Sequence, residues 1–310
     1  MILSQVQFFD KLINLGNEIP TVRTNKKVTF YNIPCGFDIE TSSFYVNDEK
    51  QAIMYEWTFG IGLIGNDSFN TYITAGRTWE EFYYFINTVA TWLECNPVSR
   101  RLVCYVHNLP YEWQFIRKRF TWDKIFLIDD RKPVYAITDT GIEFRCSLKL
   151  SGKSLANTAK DLMKYKTEKL SGELDYEKIR HSETPLTERE WAYCEHDVKV
   201  MLSYIQEKIE QDGDISRIPL TKTGYVRRYC KKCCFPETEE LLDVYAELRD
   251  STEGISGVER SFRRRVYPRQ SEVGKFDSEE DWFVRLYEFI SRCDDSGKVS
   301  NVIGKIHRRV

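Results

Sequence analysis

Residues 35–44 read Cys-Gly-Phe-Asp38-Ile-Glu40-Thr41-Ser-Ser-Phe44. Apolar and acidic residues alternate here, which predicts a strand over Ile33–Thr41 whose two carboxylates leave the same face. Carboxylates set beside a sheet core need a counter-charge, because burying an unpaired charge is costly. Asp-x-Glu on a strand is common by chance, so the pair alone predicts only a strand beside a sheet core; it becomes a candidate cation site only together with further acids.

Working outward, Ala52–Ile64 reads as a longer strand paired with the first through a polar Asn47–Gln51 turn, and Phe69–Thr74 as a third. Thr78-Trp-Glu-Glu81 is a capping box opening a helix to about Cys95. Arg101–His107 is a short β-rich run and Tyr111–Phe120 a helix, while Pro133–Thr138 and Ile142–Ser147 flank the hairpin signal Asp-Thr-Gly. Ser154 caps a helix through Met163, and Thr187-Glu-Arg-Glu190 is a second capping box, opening a long helix to about Gln211. Three antiparallel strands followed by alternating helix and strand predict an α/β fold, a ribonuclease H-like mixed sheet flanked by helices. Asp212-Gly-Asp breaks the pattern. Residues 1–212 thus form the expected main domain and 213–262 a short helical connector, with a basic helix over Lys222–Cys234 and another over Glu237–Arg249. Residues 263–310 form a charged, irregular C-terminal tail.

The 310 residues carry a net charge of -2, so any nucleic-acid binding must come from local basic patches. Lys222–Lys232 is one such patch, with a solvated connector face as its plainer reading. With 42% hydrophobic and 14% aromatic residues the chain can bury a substantial core. No apolar run approaches a membrane span, and Met1–Asn32 lacks a signal-peptide core. Nine scattered cysteines, several inside apolar runs, read as reduced thiols of a cytoplasmic protein. Cys230-Lys-Lys-Cys233-Cys234 has no second ligand pair, and only four histidines are present, which argues against zinc.

Two further acids complete the pattern. Glu112 sits in Asn108-Leu-Pro-Tyr111-Glu112, directly after a strand end, and Asp197 follows Tyr193 by four residues on the long helix, so those two share a face. Taken singly, each has a bland alternative: a first-turn helix acid for Glu112, and a surface acid beside a half-buried aromatic for Asp197 and Tyr193. Gathered, the four carboxylates are hard oxygen ligands suited to Mg²⁺ or Mn²⁺, and point to two-metal phosphodiester hydrolysis.

These residues resemble the three motifs of the 3′–5′ exonuclease domain of family B DNA polymerases, in the protein-primed bacteriophage branch. The motifs are Asp38-Ile-Glu40, Asn108-Leu-Pro-Tyr-Glu112 and Tyr193-Cys-Glu-His-Asp197, supported by Cys146–Lys160 and Gly172–Tyr176. The resemblance covers about Ile33 to Phe262. It implies that Asp38, Glu40, Glu112 and Asp197 hold two ions, that Tyr193 orients the attacking water, and that Thr41, Asn108, Tyr111, Ser147 and Leu148 hold a single-stranded DNA 3′ end. For Thr41 and Ser147, hydroxyls that satisfy strand-end backbone groups are an equal alternative. The full-length relatives also imply a terminal priming protein as partner. Two departures stand out: Glu112 replaces the family's usual aspartate, and Ser171 occupies the place of a lysine aimed at the scissile phosphate, with Lys169 out of register.

The family's polymerising half does not appear in the tail as written. Under suitable codons, however, Arg263–Arg269 read one base later gives GGGFTHA, and Arg285–Lys305 permits DFTSSYP and AVMIAEKFPMSSGK, similar to the family's palm segments. The expectation is a reading-frame slip near Phe262, leaving a proofreading nuclease without polymerase activity. Two alternatives remain open: a stand-alone exoribonuclease of the same superfamily, and an inactive single-strand-binding remnant.

Overall fold

The computed structural model describes residues 2–65, 68–168, 170, 175 and 178–234. Two compact units divide the chain, Met1–Lys222 and Thr223–Val310, and the sheet belongs to the first. Its first half runs α1 (Gln5–Leu15), β1 (Thr21–Arg23), β2 (Thr29–Tyr31), β3 (Cys35–Val46), β4 (Glu49–Gly65), β5 (Ser68–Gly76), α2 (Trp79–Trp92) and β6 (Arg100–Val106). Then come α3 (Leu109–Ile116), β7 (Trp122–Leu127), β8 (Pro133–Thr138), β9 (Ile142–Cys146), α4 (Ser147–Ser151), α5 (Leu155–Lys160) and α6 (Glu188–Asp212), and α7 (Lys222–Cys234) starts at the boundary.

The strands order as β5-β4-β3-β6-β9-β8-β7, with β2 also pairing with β6 and β1 with β2. β3, β4 and β5 form an antiparallel meander. β6 then joins β3 in parallel and β9 joins β6 in parallel. A meander whose first strand is continued on its other side by two parallel strands is the expected ribonuclease H-like arrangement.

Local chemistry explains the helix starts. Thr78 and Thr187 each accept from the backbone of the glutamate three residues on, and that glutamate bonds back, as both capping boxes predict. A third box, Ser4 with Gln7, opens α1 in a segment that reads as featureless polar sequence. β1, β2 and the edge strand β7 are likewise additions to the expected elements. Ser147 does not end a strand; it begins α4. The turn after β3 is Asn47-Asp48, both left-handed at φ 50 and 63, so β4 starts three residues earlier than expected. The helix capped by Ser154 stops at Lys160, and α3 begins at Leu109. Residues 235–310, including the expected helix 237–249 and the tail, lie outside the described residues.

Alternation gives the sheet two unlike faces. Phe37 stacks on Phe82 of α2 at 4.3 Å, and Phe59 meets Phe8 of α1 and Phe85 of α2 edge-on at 5.9 and 5.2 Å. Each fully buried phenylalanine contributes about 1.5–3 kcal/mol, so this aromatic layer anchors the sheet. The opposite face carries Gly36, Asp38 and Glu40 on β3 against Gly60, Thr58 and Glu56 on β4, and α6 covers it. Gly36 and Gly60 face each other across the ladder. A Cβ on Gly60 would lie 2.9 Å from Val198 Cγ1 and 3.0 Å from Leu202 Cδ1, and one on Gly36 would lie 2.8 Å from Met201 Cε. The absence of side chains lets α6 settle onto the strands.

Gly60→Ala is therefore expected to destabilise the protein by about 1–3 kcal/mol, since β-branched Val198 cannot swing aside. Gly36→Ala, meeting only the flexible end of Met201, should cost less than about 1 kcal/mol. Equal midpoints for the two variants in urea unfolding would contradict this packing.

Candidate metal centre

α6 sits close enough that Asp197 reaches the strands. Asp38, Glu40 and Asp197 each offer a carboxylate oxygen within 4.8 Å of the others. Asp197 is buried, while Asp38 and Glu40 are partly open. The ladder shifts register just past Glu40: Glu40 pairs with Glu56 but Thr41 pairs with Met54, leaving Tyr55 as the extra residue of a bulge. Bulges of this kind re-aim neighbouring side chains, and here one separates the carboxylates from the outer half of the hairpin.

Glu112 arrives from a different direction. Asn108 adopts a left-handed φ of 74, a conformation asparagine tolerates better than most residues, and so turns the chain from β6 straight into α3. Glu112 lies in the first turn of α3 and is 3% exposed, and its Oε2 has no hydrogen-bond partner. It stands outside the group of three within 4.8 Å. Burial, then the charges of Asp38 and Glu40, push its carboxyl well above the usual range. A buried carboxylate oxygen left without a donor beside other acids is what a cation would satisfy. The donor set, carboxylate oxygens only, is of the kind that suits a hard divalent cation.

A fifth acid on this face is not apparent from sequence. Glu56, 1% exposed, lies directly across the ladder from Glu40. Thr58 donates a hydrogen bond to its Oε1. Its carboxyl is pushed up to about 8, by burial above all and by the charge of Asp38, against the opposing hydrogen bonds of Thr58 and Cys194. The Cys194 thiol, also buried, is pushed up by burial and by Glu56, Glu40 and Asp38. Reading Tyr-Glu-Trp-Thr as one more alternating strand could have placed Glu56 with Glu40, had the register been known.

The remaining predicted residues fall on the surrounding elements. Tyr193 is buried one turn before Asp197 and packs with Cys194 against Leu170. The Thr41 and Tyr111 hydroxyls hydrogen-bond to each other across β3 and α3, and Tyr111 is 39% exposed. Ser147 is buried; its hydroxyl donates to Val106 O at 3.3 Å and lies 3.0 Å from His107 Nδ1. Leu148 packs against the main core. No helix among the described residues is long and apolar enough to cross a membrane.

Comparison with family models and with curated proteins gives no match. Among solved structures, the chain is similar to phi29 DNA polymerase complexed with single-stranded DNA, at 19% identity and a TM-score of 0.46, covering 70% of this chain and 39% of that one. It is also similar to the same polymerase with primer-template DNA and incoming nucleotides, at 18% identity and 0.48, covering 70% and 38%. The chain thus spans 38–40% of the length of these solved chains. At this identity the likeness concerns the fold alone.

The folded, metal-free protein holds the Glu56 proton to about pH 8, whereas the unfolded chain releases it near 4.5. Folding therefore takes up a proton between those values, and stability falls as pH rises through that window, by at most about 1.4 kcal/mol per pH unit. Glu56→Gln should flatten this slope in urea melts run in the presence of a chelator. An unchanged slope would show that Glu56 is ionised in the fold.

Proposed function

We propose that this chain is the 3′–5′ exonuclease portion of a family B, protein-primed type DNA polymerase, hydrolysing the terminal phosphodiester of a single-stranded or frayed DNA 3′ end. The observation that carries the reading is the meeting of Asp38, Glu40 and Asp197 within 4.8 Å, with the partnerless Glu112 oxygen nearby. These are the positions at which the sequence resembles the three exonuclease motifs.

Asp38, Glu40 and Asp197 would hold one divalent cation, and Glu112 with Asp38 a second. Two such ions supply positive charge that activates a water and steadies the leaving 3′ oxygen. The protein's own side chains do the rest. Tyr193, on the same face of α6 as Asp197, orients the water. Tyr111 offers an exposed ring edge on which the terminal base stacks, typically worth ~1–3 kcal/mol, and its hydroxyl is held by Thr41. Asn108 lies at the turn that delivers both Tyr111 and Glu112. Ser147 contributes through the backbone geometry of the β9–α4 junction, since its hydroxyl is engaged internally.

Residues 213–262 would serve as a connector toward a polymerising half, and a frame slip near Phe262 would replace the start of that half with non-native sequence. Resequencing the coding DNA across that codon decides it.

A 3′-labelled DNA oligonucleotide incubated with protein and Mn²⁺ should shorten one nucleotide at a time, and Asp38→Ala should slow this by roughly 100-fold or more. Preference for RNA would support the exoribonuclease instead. No shortening by wild-type protein, or equal shortening by Asp38→Ala, would overturn the nuclease reading.

A further inference from the structure

The carboxylates ride on two separate carriers, β3 and α6, whose charges repel. Something must hold the carriers at the right gap before any cation arrives. The close approach at Gly36 and Gly60 does so at the middle of α6, at Val198, Met201 and Leu202 just past Asp197. At the first turn of α6, ahead of Tyr193 and Asp197, two arginines do so.

Arg180 is 4% exposed. Its backbone N–H donates to Ser42 Oγ at 2.8 Å, two residues past Glu40 on β3. Its Nε and Nη2 reach Glu190 Oε1 in the first turn of α6 at 2.7 and 2.6 Å. Its Nη1 donates to the carbonyls of Asp175 and Lys178 at 2.7 and 3.0 Å, and the guanidinium lies 5.7 Å over the ring of Tyr55, the bulge residue. Glu190 cannot swing away, because its Oε2 accepts from the N–H and hydroxyl of Thr187 at 2.7 and 2.9 Å. Arg77 holds the same place from the other side. Its Nε donates to the carbonyl of Tyr55 at 2.7 Å, its Nη2 to the carbonyls of His181 and Thr184 at 2.9 and 2.7 Å, and its guanidinium lies 5.8 Å over Trp191 of α6. The two cations thus grip one bulge residue on the strand side and the first turn of α6 on the other.

We infer that Arg180 and Arg77 are positioning residues that preset the spacing between β3 and α6, so that the acids are assembled as a cation site in advance of binding. The inference rests on the reading of those acids as a cation site. Lysine at either position keeps the charge but loses the planar fork that reaches several acceptors at once.

The test uses the full chain, metal-free, with Arg180→Lys compared to wild type by hydrogen exchange and by Mn²⁺ titration. Exchange should quicken in residues 188–197 and 40–43 and stay unchanged in α2. Mn²⁺ affinity should weaken about tenfold, as outer-shell changes do, while the cleavage rate at saturating Mn²⁺ stays within about twofold of wild type. If Arg180→Lys does not fold, Arg77→Lys, which leaves the Arg180–Glu190 pair intact, is read against the same expectations. Unchanged exchange in those segments, or quickened exchange with unaltered Mn²⁺ affinity, overturns the positioning role. Failure of wild-type protein to bind Mn²⁺ would be a different result, removing the cation site itself and the clamp's purpose with it.

Discussion

Mutual repulsion among acids is the constraint around which this fold is arranged. Asp38, Glu40 and Asp197 crowd within 4.8 Å, with Glu56 and Glu112 buried beside them. Nothing in their own chemistry favours that gathering without a cation or shared protons. The protein imposes it through rigid parts: an aromatic layer that fixes β3 and β4 from behind, a pair of facing glycines that admit α6, and a capped, arginine-held first turn that keeps α6 in place. Part of the strain is relieved by protonation, since burial and the neighbouring charges hold both Glu56 and Glu112 above the ordinary carboxylate range. A site that is uncomfortable when empty is suited to binding divalent cations.

Much of this was legible in the residues themselves. Alternation over Phe37–Glu40 placed two acids on one face, and the Thr187–Glu190 box with i, i+4 spacing placed Tyr193 and Asp197 on one face of one helix. Both signals are local, and both survive folding because the period of a strand or helix is set by the backbone. What escaped was non-local. Glu56 belongs to the site only because β4 pairs with β3 in one register, and a slip of one residue would turn it to the other face. Arg180 meets Ser42 across 138 residues, a contact no spacing rule foretells. α1 was missed although Ser4 and Gln7 spell a capping box and Phe8 and Leu12 recur behind it at helical spacing, because the segment 1–32 was read only for its polar composition. β7 was missed because most of its side chains are exposed, so no burial pattern marks it.

Ser147 shows how a motif and its environment differ. As a hydroxyl at a strand end it was a candidate ligand contact and equally a candidate for satisfying backbone groups. It is buried, and it donates to Val106 O. Thr41 and Tyr111, by contrast, join β3 to α3 beside the acids while Tyr111 keeps an open ring, a pairing compatible with holding an unpaired base. On the proposed reading, the same elements that carry the acids would also carry the groups that hold a strand end, and one distortion, the bulge at Tyr55, lies next to both.

The most direct test of the central claim is anomalous diffraction from crystals grown with saturating Mn²⁺. The account predicts a manganese peak in contact with the carboxylates of Asp38, Glu40 and Asp197, and a second peak adjoining Glu112. Crystals that show these side chains ordered with no manganese among them, or with manganese bound only elsewhere, would contradict it.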